Sequence, residues 1–263
     1  MLRQKQIIII FLLLIFNICS SQISITNTSV ITEDFNSMGA TLNLPSNWRI
    51  RGTTWAAGSS TVGQQASSGS PTAGATYNWG ENGSTDRAVG AMTSGSFSSP
   101  NQLMVYFRNL NANDLETFVV EYTAERYRIN SAAASVEFFY STNGTSWTAV
   151  PSGNTAAFST GSSSYTFANP TKQTISNIQI TGLNIPTNGD IYLRWNVLTT
   201  GASSQGIGID DISIIPTFST GCTSPTTPPS AFSASNIGTT SMDIAWTNGN
   251  GDNTLVVARA GSA

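Results

Sequence analysis

Gly206-Ile-Gly-Ile-Asp-Asp-Ile-Ser-Ile-Ile215 is the stretch whose reading decides the fold. It is apolar enough to be a buried strand, yet two adjacent aspartates stand in its middle. Successive side chains of a strand point to opposite faces, so Ile207 and Ile209 share one face while Ile212 and Ile214 share the other. Either both faces are buried, or a bulge sits at Asp210-Asp211. Two carboxylates side by side in such a run are costly unless cations or hydrogen-bond donors meet them. The stretch reads as the last strand of a large β-domain and as the one place where the sequence hints at a bound ion.

Working outward, residues 30–216 form a series of short alternating segments separated by Gly, Ser, Asn and Pro clusters, with no helical period. Strands are expected at 30–35, 103–108, 117–129, 135–140, 146–150, 173–180, 191–197 and 206–215. Ile191, Leu193, Trp195 and Val197 alternate with Tyr192, Arg194 and Asn196, which marks one face as core. Asn143-Gly144 is a strong hairpin signal, because both residues tolerate positive φ. Eight or more strands in about 185 residues, joined by loops instead of helices, indicate an all-β, two-sheet sandwich of jelly-roll type. The long, nearly uncharged loops at 56–76 and 151–169 are either flexible insertions or binding edges. Residues 217–229 are a Pro/Thr/Ser-rich linker. Beyond it, strand-like pieces at 232–234, 242–246 and 254–258 open a second domain.

At the other end, residues 1–21 read as a signal peptide: Arg3 and Lys5 are the basic region, 7–16 the apolar region and Cys19-Ser20-Ser21 the cleavage site. The apolar run is shorter than the roughly 20 residues that span a bilayer, and no second candidate span appears. Acylation of Cys19 is the alternative, but Ile18 before it is bulkier than a lipid-attachment site accepts. Removing Arg3 and Lys5 moves the net charge from -3 to -5 and leaves Lys172 as the sole lysine. A surface this poor in cations argues against nucleic-acid binding. The chain contains no histidine, which excludes His-dependent nucleophilic systems, His general bases and imidazole metal ligands. Cys222 is then the only cysteine, and its partner is expected outside this sequence.

Several segments, in order, carry a resemblance: Glu33-Asp-Phe-Asn36, Leu44-Pro-Ser-Asn-Trp-Arg49, Tyr77-Asn-Trp-Gly80, Asp86-Arg-Ala-Val-Gly90, Glu121-Tyr-Thr-Ala-Glu-Arg-Tyr-Arg128, Tyr140-Ser-Thr-Asn-Gly-Thr-Ser-Trp147, Ile191-Tyr-Leu-Arg-Trp195 and Gly208-Ile-Asp-Asp-Ile212. The first domain resembles a sandwich module that recurs in large secreted proteins of Bacteroidetes and other bacteria. Its two ends also resemble the MAM family of adhesion modules, without the MAM disulfides, which makes that likeness one of architecture. Residues 230–263 resemble the start of a fibronectin type III domain, truncated because three strands are too few to close that sandwich. In similar modules the linker cysteine pairs near the far end of the domain. The resemblance implies an accessory domain and not a catalyst.

Two constellations follow. Asp210 and Asp211, with Asp34 or Glu33 on the opening strand, could offer oxygen ligands to a structural calcium ion; alternatively the aspartates accept backbone N–H bonds at a bulge. Residues 116–128 hold Glu116, Glu121, Glu125, Arg126 and Arg128, a concentration of charge that needs a reason. Glycosidase chemistry is not it: Glu121 and Glu125 stand roughly 13 Å apart along a regular strand, against about 5.5 or 9 Å for retaining or inverting pairs. Arg87, Arg128 and Arg194 are expected to pair with Glu125 as a structural network. The alternative is a shallow sheet face on which they join Trp79, Tyr127 and Tyr192 to hold a glycan. On a regular strand Arg126 and Arg128 face away from Glu125, and Trp147 and Trp195 belong to packing. The sequence thus describes a secreted or cell-surface, non-enzymatic binding module for adhesion or glycan attachment. Its partner is an extracellular glycan or surface protein. The competing reading is a structural spacer of a larger secreted enzyme or adhesin whose active part lies beyond residue 263.

Overall fold

A computed structural model describes residues 22–98, 101–220, 226–251 and 256. The signal peptide, Cys222 and, apart from Val256, the strand-like piece at 254–258 lie outside these residues. The chain divides between Ser219 and Thr220 into two units. The first is all-β, with strands β1 (Ile23–Ile25), β2 (Ile31–Glu33), β3 (Trp48–Ile50), β4 (Gln64–Ala66), β5 (Ala75–Trp79), β6 (Ala88–Met92), β7 (Asn101–Asn109), β8 (Leu115–Ile129), β9 (Ser135–Ser141), β10 (Thr148–Ala149), β11 (Ser164–Tyr165), β12 (Thr171–Ile180), β13 (Asp190–Leu198) and β14 (Gly206–Phe218).

These form two sheets. In the first, β7 carries β1 and β3 on one edge and is followed by β13, β9 and β10. In the second, β8 carries β11 and β12 on one edge; β14 lies on the other, followed by β6, β5 and β4, with β2 also against β14. The alternation read at 191–197 is realised. Ile191, Leu193, Trp195 and Val197 of β13 meet Phe118, Val120, Tyr122 and Ala124 of β8 in one buried core. Tyr122 packs edge-on against Trp195 at 5.9 Å and Phe107 against Phe118 at 5.5 Å, so the two sheets are joined through aromatic side chains.

β14 is bulged where its parity changes. Asp210 lies opposite Thr123 and Ser213 opposite Glu121, so β14 advances three residues while β8 advances two. Asp211 takes a left-handed φ of 49°, a conformation that aspartate tolerates better than a branched side chain would. Setting this one residue outside the alternation returns Ile207, Ile209, Ile212 and Ile214 to one face, and all four are buried in the shared core. It also marks a change of neighbour: residues 207–209 pair with β6, and 212–214 with β2.

β5 and β6 were not anticipated. Every residue of both is buried, so neither shows the in-out alternation that reveals a strand. β4 falls inside the segment expected as a long loop. The hairpin around Asn143-Gly144 is present between β9 and β10, with Gly144 at φ 68° and the Ser141 hydroxyl accepting the Gly144 N–H at 2.9 Å. In the second unit the described strands β15 (Ser230–Ser235) and β16 (Asp243–Thr247) make an antiparallel ribbon with Phe232, Met242 and Ile244 exposed. A lone ribbon of this kind is marginal in water.

Asp211→Pro tests the role of the bulge, because proline fixes φ at about -65° and cannot take the left-handed conformation found there. If residue 211 is forced back into the regular alternation, Ile212 and Ile214 turn outward, at a cost of about 3–6 kcal/mol, a large share of a domain's total stability. The expected outcome in urea denaturation is loss of the cooperative transition; wild-type stability would show that the bulge is dispensable.

Candidate functional site

The outer face of the second sheet is a second core. Gly206, Gly208 and Gly90 share this face and leave a floor without side chains, on which Trp79 lies. A Cβ at Gly208 would stand 2.7 Å from the Ala88 side chain, and one at Gly206 3.0 Å from the Trp79 ring. Tyr77 stacks on Trp79 at 4.2 Å and Tyr127 at 5.6 Å, nearly parallel. Phe167, from the loop expected at 151–169, closes over both Trp79 and Tyr127. Trp79 is 0% and Tyr127 2% exposed, so both are packed and unavailable as stacking platforms.

The charged groups on this face have other partners than those expected. The Glu125 carboxylate meets the Lys172 ammonium, brought opposite by β12, and accepts the Tyr127 hydroxyl. Arg87 donates to the Ser67 hydroxyl and the Ser84 carbonyl, each at 3.0 Å. Arg128 points at the Met92 sulfur and at Ser163, with its guanidinium 5.4 Å from the Tyr165 ring. The network of Arg87, Arg128 and Arg194 around Glu125 is therefore not formed. A second irregularity explains part of this: Gly206 lies opposite Arg128 but Ile207 opposite Arg126. That slip turns Arg128 to the outer face with Glu125 and leaves Arg126 bonding Ser159.

The three aspartates separate. Asp34 and Asp211 line a cleft of about 290 Å³ with Glu33, Thr32, Ile212 and Ser213. Asp34 and Glu33 already accept the backbone N–H groups of Asn36 and Phe35, at 3.0 and 2.9 Å. Asp210 is fully buried on the outer face opposite Thr123, and neither of its carboxylate oxygens meets a well-aligned hydrogen-bond donor, the adjacent Asp211 amide being the one donor that pulls on it. Among the described residues no three acidic or cysteine side chains converge as a metal-holding group. Burial raises the Asp210 carboxyl to about 8, against a smaller opposing pull from the Asp211 amide, with the charges of Asp211, Glu125 and Asp86 adding to the rise.

Tyr192 and Arg194 lie on the other sheet, on its outer face. Tyr192 stacks on Tyr106 at 4.6 Å, and Trp55 tilts against both at 5.7 and 5.6 Å. Tyr106 and Arg108 both donate to the same Asp190 oxygen at 2.8 Å. Arg194 lies over Phe139 at 4.5 Å and over Trp147 at 4.3 Å. Burial lowers its guanidinium to about 10, opposed by the nearby charge of Glu137. Arg49 lies over Trp55 at 4.8 Å and is held by the Trp55 and Ala56 carbonyls. Trp55, Phe139 and Trp147 are only half-buried, so this face keeps aromatic surface within reach of solvent. Trp195 is core as expected, whereas Trp147 is not. Sequence reading missed Trp55 and Phe139. Register alone brings Phe139 beside Arg194, and Trp55 arrives on a loop.

No protein-family model matches the sequence, and no match to a curated protein was found. Among solved structures, the chain is similar to the K3 cleaved adhesin domain of Lys-gingipain from Porphyromonas gingivalis, at 13% identity over 70% of this chain and 98% of that one, with a TM-score of 0.38. It is similar to the CBM22-1 xylan-binding domain of Paenibacillus barcinonensis Xyn10C, at 13% identity over 74% of this chain and 99% of that one, TM-score 0.38. It is also similar to the N-terminal cellulose-binding domain of Cellulomonas fimi β-1,4-glucanase C, at 12% identity over 67% and 93%, TM-score 0.29. Likeness at this level bears on neither ligand nor activity.

Asp210 gives a pH test. The folded chain holds a proton that the unfolded chain releases above about pH 4, so this group's contribution to stability falls as pH rises from about 4 to about 8 and levels off above that. Asp210→Asn removes the slope. Its stability relative to the wild type is expected to grow between pH 5 and pH 8 by roughly 3–4 kcal/mol in urea titrations. Parallel pH profiles would show that Asp210 is not held protonated.

Proposed function

We propose that the first unit is an exported, non-catalytic binding module that holds a glycan against the outer face of its first sheet. The observation that carries this reading is the half-buried aromatic surface of Trp55, Trp147 and Phe139 around Arg194. Sugar rings stack on aromatic faces, and arginine and carboxylate groups beside them supply hydrogen bonds that orient the ring. Of the seven residues first considered for a ligand, Tyr192 and Arg194 belong to this face. Trp79, Arg87, Glu125, Tyr127 and Arg128 serve the packed face of the other sheet. The second unit is proposed to be the opening of a fibronectin type III sandwich.

Retention of the full chain on immobilised polysaccharides tests the reading. Binding to a subset of them is expected, with affinity reduced roughly tenfold or more by Trp55→Ala or Trp147→Ala at unchanged Tm. If the chain is retained on none, the spacer reading replaces this one. Calcium remains a proposal for the Asp34–Asp211 cleft alone. Two carboxylates leave most of six to eight ligand positions to carbonyls and water, which places affinity at about millimolar. The Tm of chelator-treated protein is expected to rise at about 5 mM calcium and not at micromolar calcium, and Asp211→Asn to abolish the rise. No rise at any concentration removes calcium from the account.

A further inference from the structure

We propose that the edge of the Arg194 guanidinium is a carboxylate-recognition subsite, so that the glycan held on this face is an acidic, uronate-containing polysaccharide. This deepens the glycan reading above and rests on it. Arg194 is 9% exposed, its guanidinium makes no hydrogen bond to the described residues, and its buried Nε has no acceptor. No carboxylate among those residues stands within salt-bridge distance of it; the two ion pairs are Arg108–Asp190 and Lys172–Glu125. Its contacts are the rings of Phe139 and Trp147. Such contacts favour the charge but leave the N–H donors, which radiate in the plane of the group, without acceptors.

A cation this enclosed, lacking an acceptor, gains most from a ligand that supplies both charge and lone pairs. A carboxylate does so with two coplanar oxygens matched to two parallel N–H donors. A neutral hydroxyl supplies a lone pair and no charge. The surroundings agree. Arg49, Arg108 and Arg194 on this face outnumber Glu137 and Asp190, although the chain as a whole is acidic. Asp190 is already engaged by Arg108 and Tyr106, and Arg49 by loop carbonyls, which leaves Arg194 as the enclosed cation without an acceptor on the face. The flanking rings then stack on the sugar that carries the carboxylate.

The test compares polygalacturonate, the same polymer fully methyl-esterified, and neutral galactan, each against the full chain in affinity electrophoresis. Polygalacturonate is expected to bind at least tenfold more tightly than the ester, which keeps the ring and loses the charge. Arg194→Gln is expected to erase that preference, and Arg194→Lys to weaken it, at unchanged Tm. Equal binding of acid and ester, or a preference that survives Arg194→Gln, overturns the subsite and leaves the glycan reading standing. Retention of neutral galactan alone does the same. Binding to none of the three, together with none on a wider glycan panel, overturns both. The acid-against-ester comparison needs no variant, so it decides the question even if Arg194→Gln fails to fold.

Discussion

A strand with period two that buries Ile207 and Ile209 must expose Ile212, unless one of the residues between them is bulged out of the alternation. Asp211, at a φ of 49°, is that residue. With it, β14 presents four isoleucines to the shared core, lies against β8 along its length, and changes its far neighbour from β6 to β2. The second sheet is wide because this one strand can be flanked by two different partners in succession. Even the glycines follow from it: Gly206 and Gly208 fall on the face opposite the isoleucines, where the aromatic rings of Trp79 and Tyr127 come too close for side chains.

The two outer faces have opposite fates. On the second sheet the chain's own loops bring Phe167 and Tyr165 down over Trp79, Tyr77 and Tyr127, and polar groups trapped below have to find partners locally. Glu125 finds Lys172, while Asp210 finds no well-aligned donor and is held protonated to a higher pH than an exposed carboxyl. On the first sheet the loop carrying Trp55 and the hairpin carrying Trp147 meet, with the Trp147 indole N–H donating to the Thr53 carbonyl at 3.0 Å and the Trp55 N–H to the Gly144 carbonyl at 2.8 Å. They pin aromatic surface at the rim without sealing it. Exposure, more than residue type, separates the two clusters.

The sequence was legible where one face of a strand is buried and the other is not. The alternation at 191–197 named the core side of β13 correctly, and the parity break at Asp210-Asp211 pointed to the bulge. β5 and β6, buried on both faces, carry no alternation to read. Partners of charged groups were hidden for a different reason. Lys172 reaches Glu125 through the register of β12, and Arg128 changes face through an irregularity beside Gly206; neither is encoded in local spacing. Trp147 and Trp195 both looked like packing residues, but only Trp195 sits on the inner face. Which tryptophans stay within reach of solvent depends on which loops cover which sheet.

That sorting of tryptophans is the central claim, and indole N–H resonances report it directly. In a nitrogen-proton correlation spectrum of the full chain titrated with oligogalacturonate, the Trp55 and Trp147 indole signals should shift with saturation while those of Trp79 and Trp195 stay in place. Shifts at Trp79 with none at Trp147 would put the binding face on the other sheet and contradict the account.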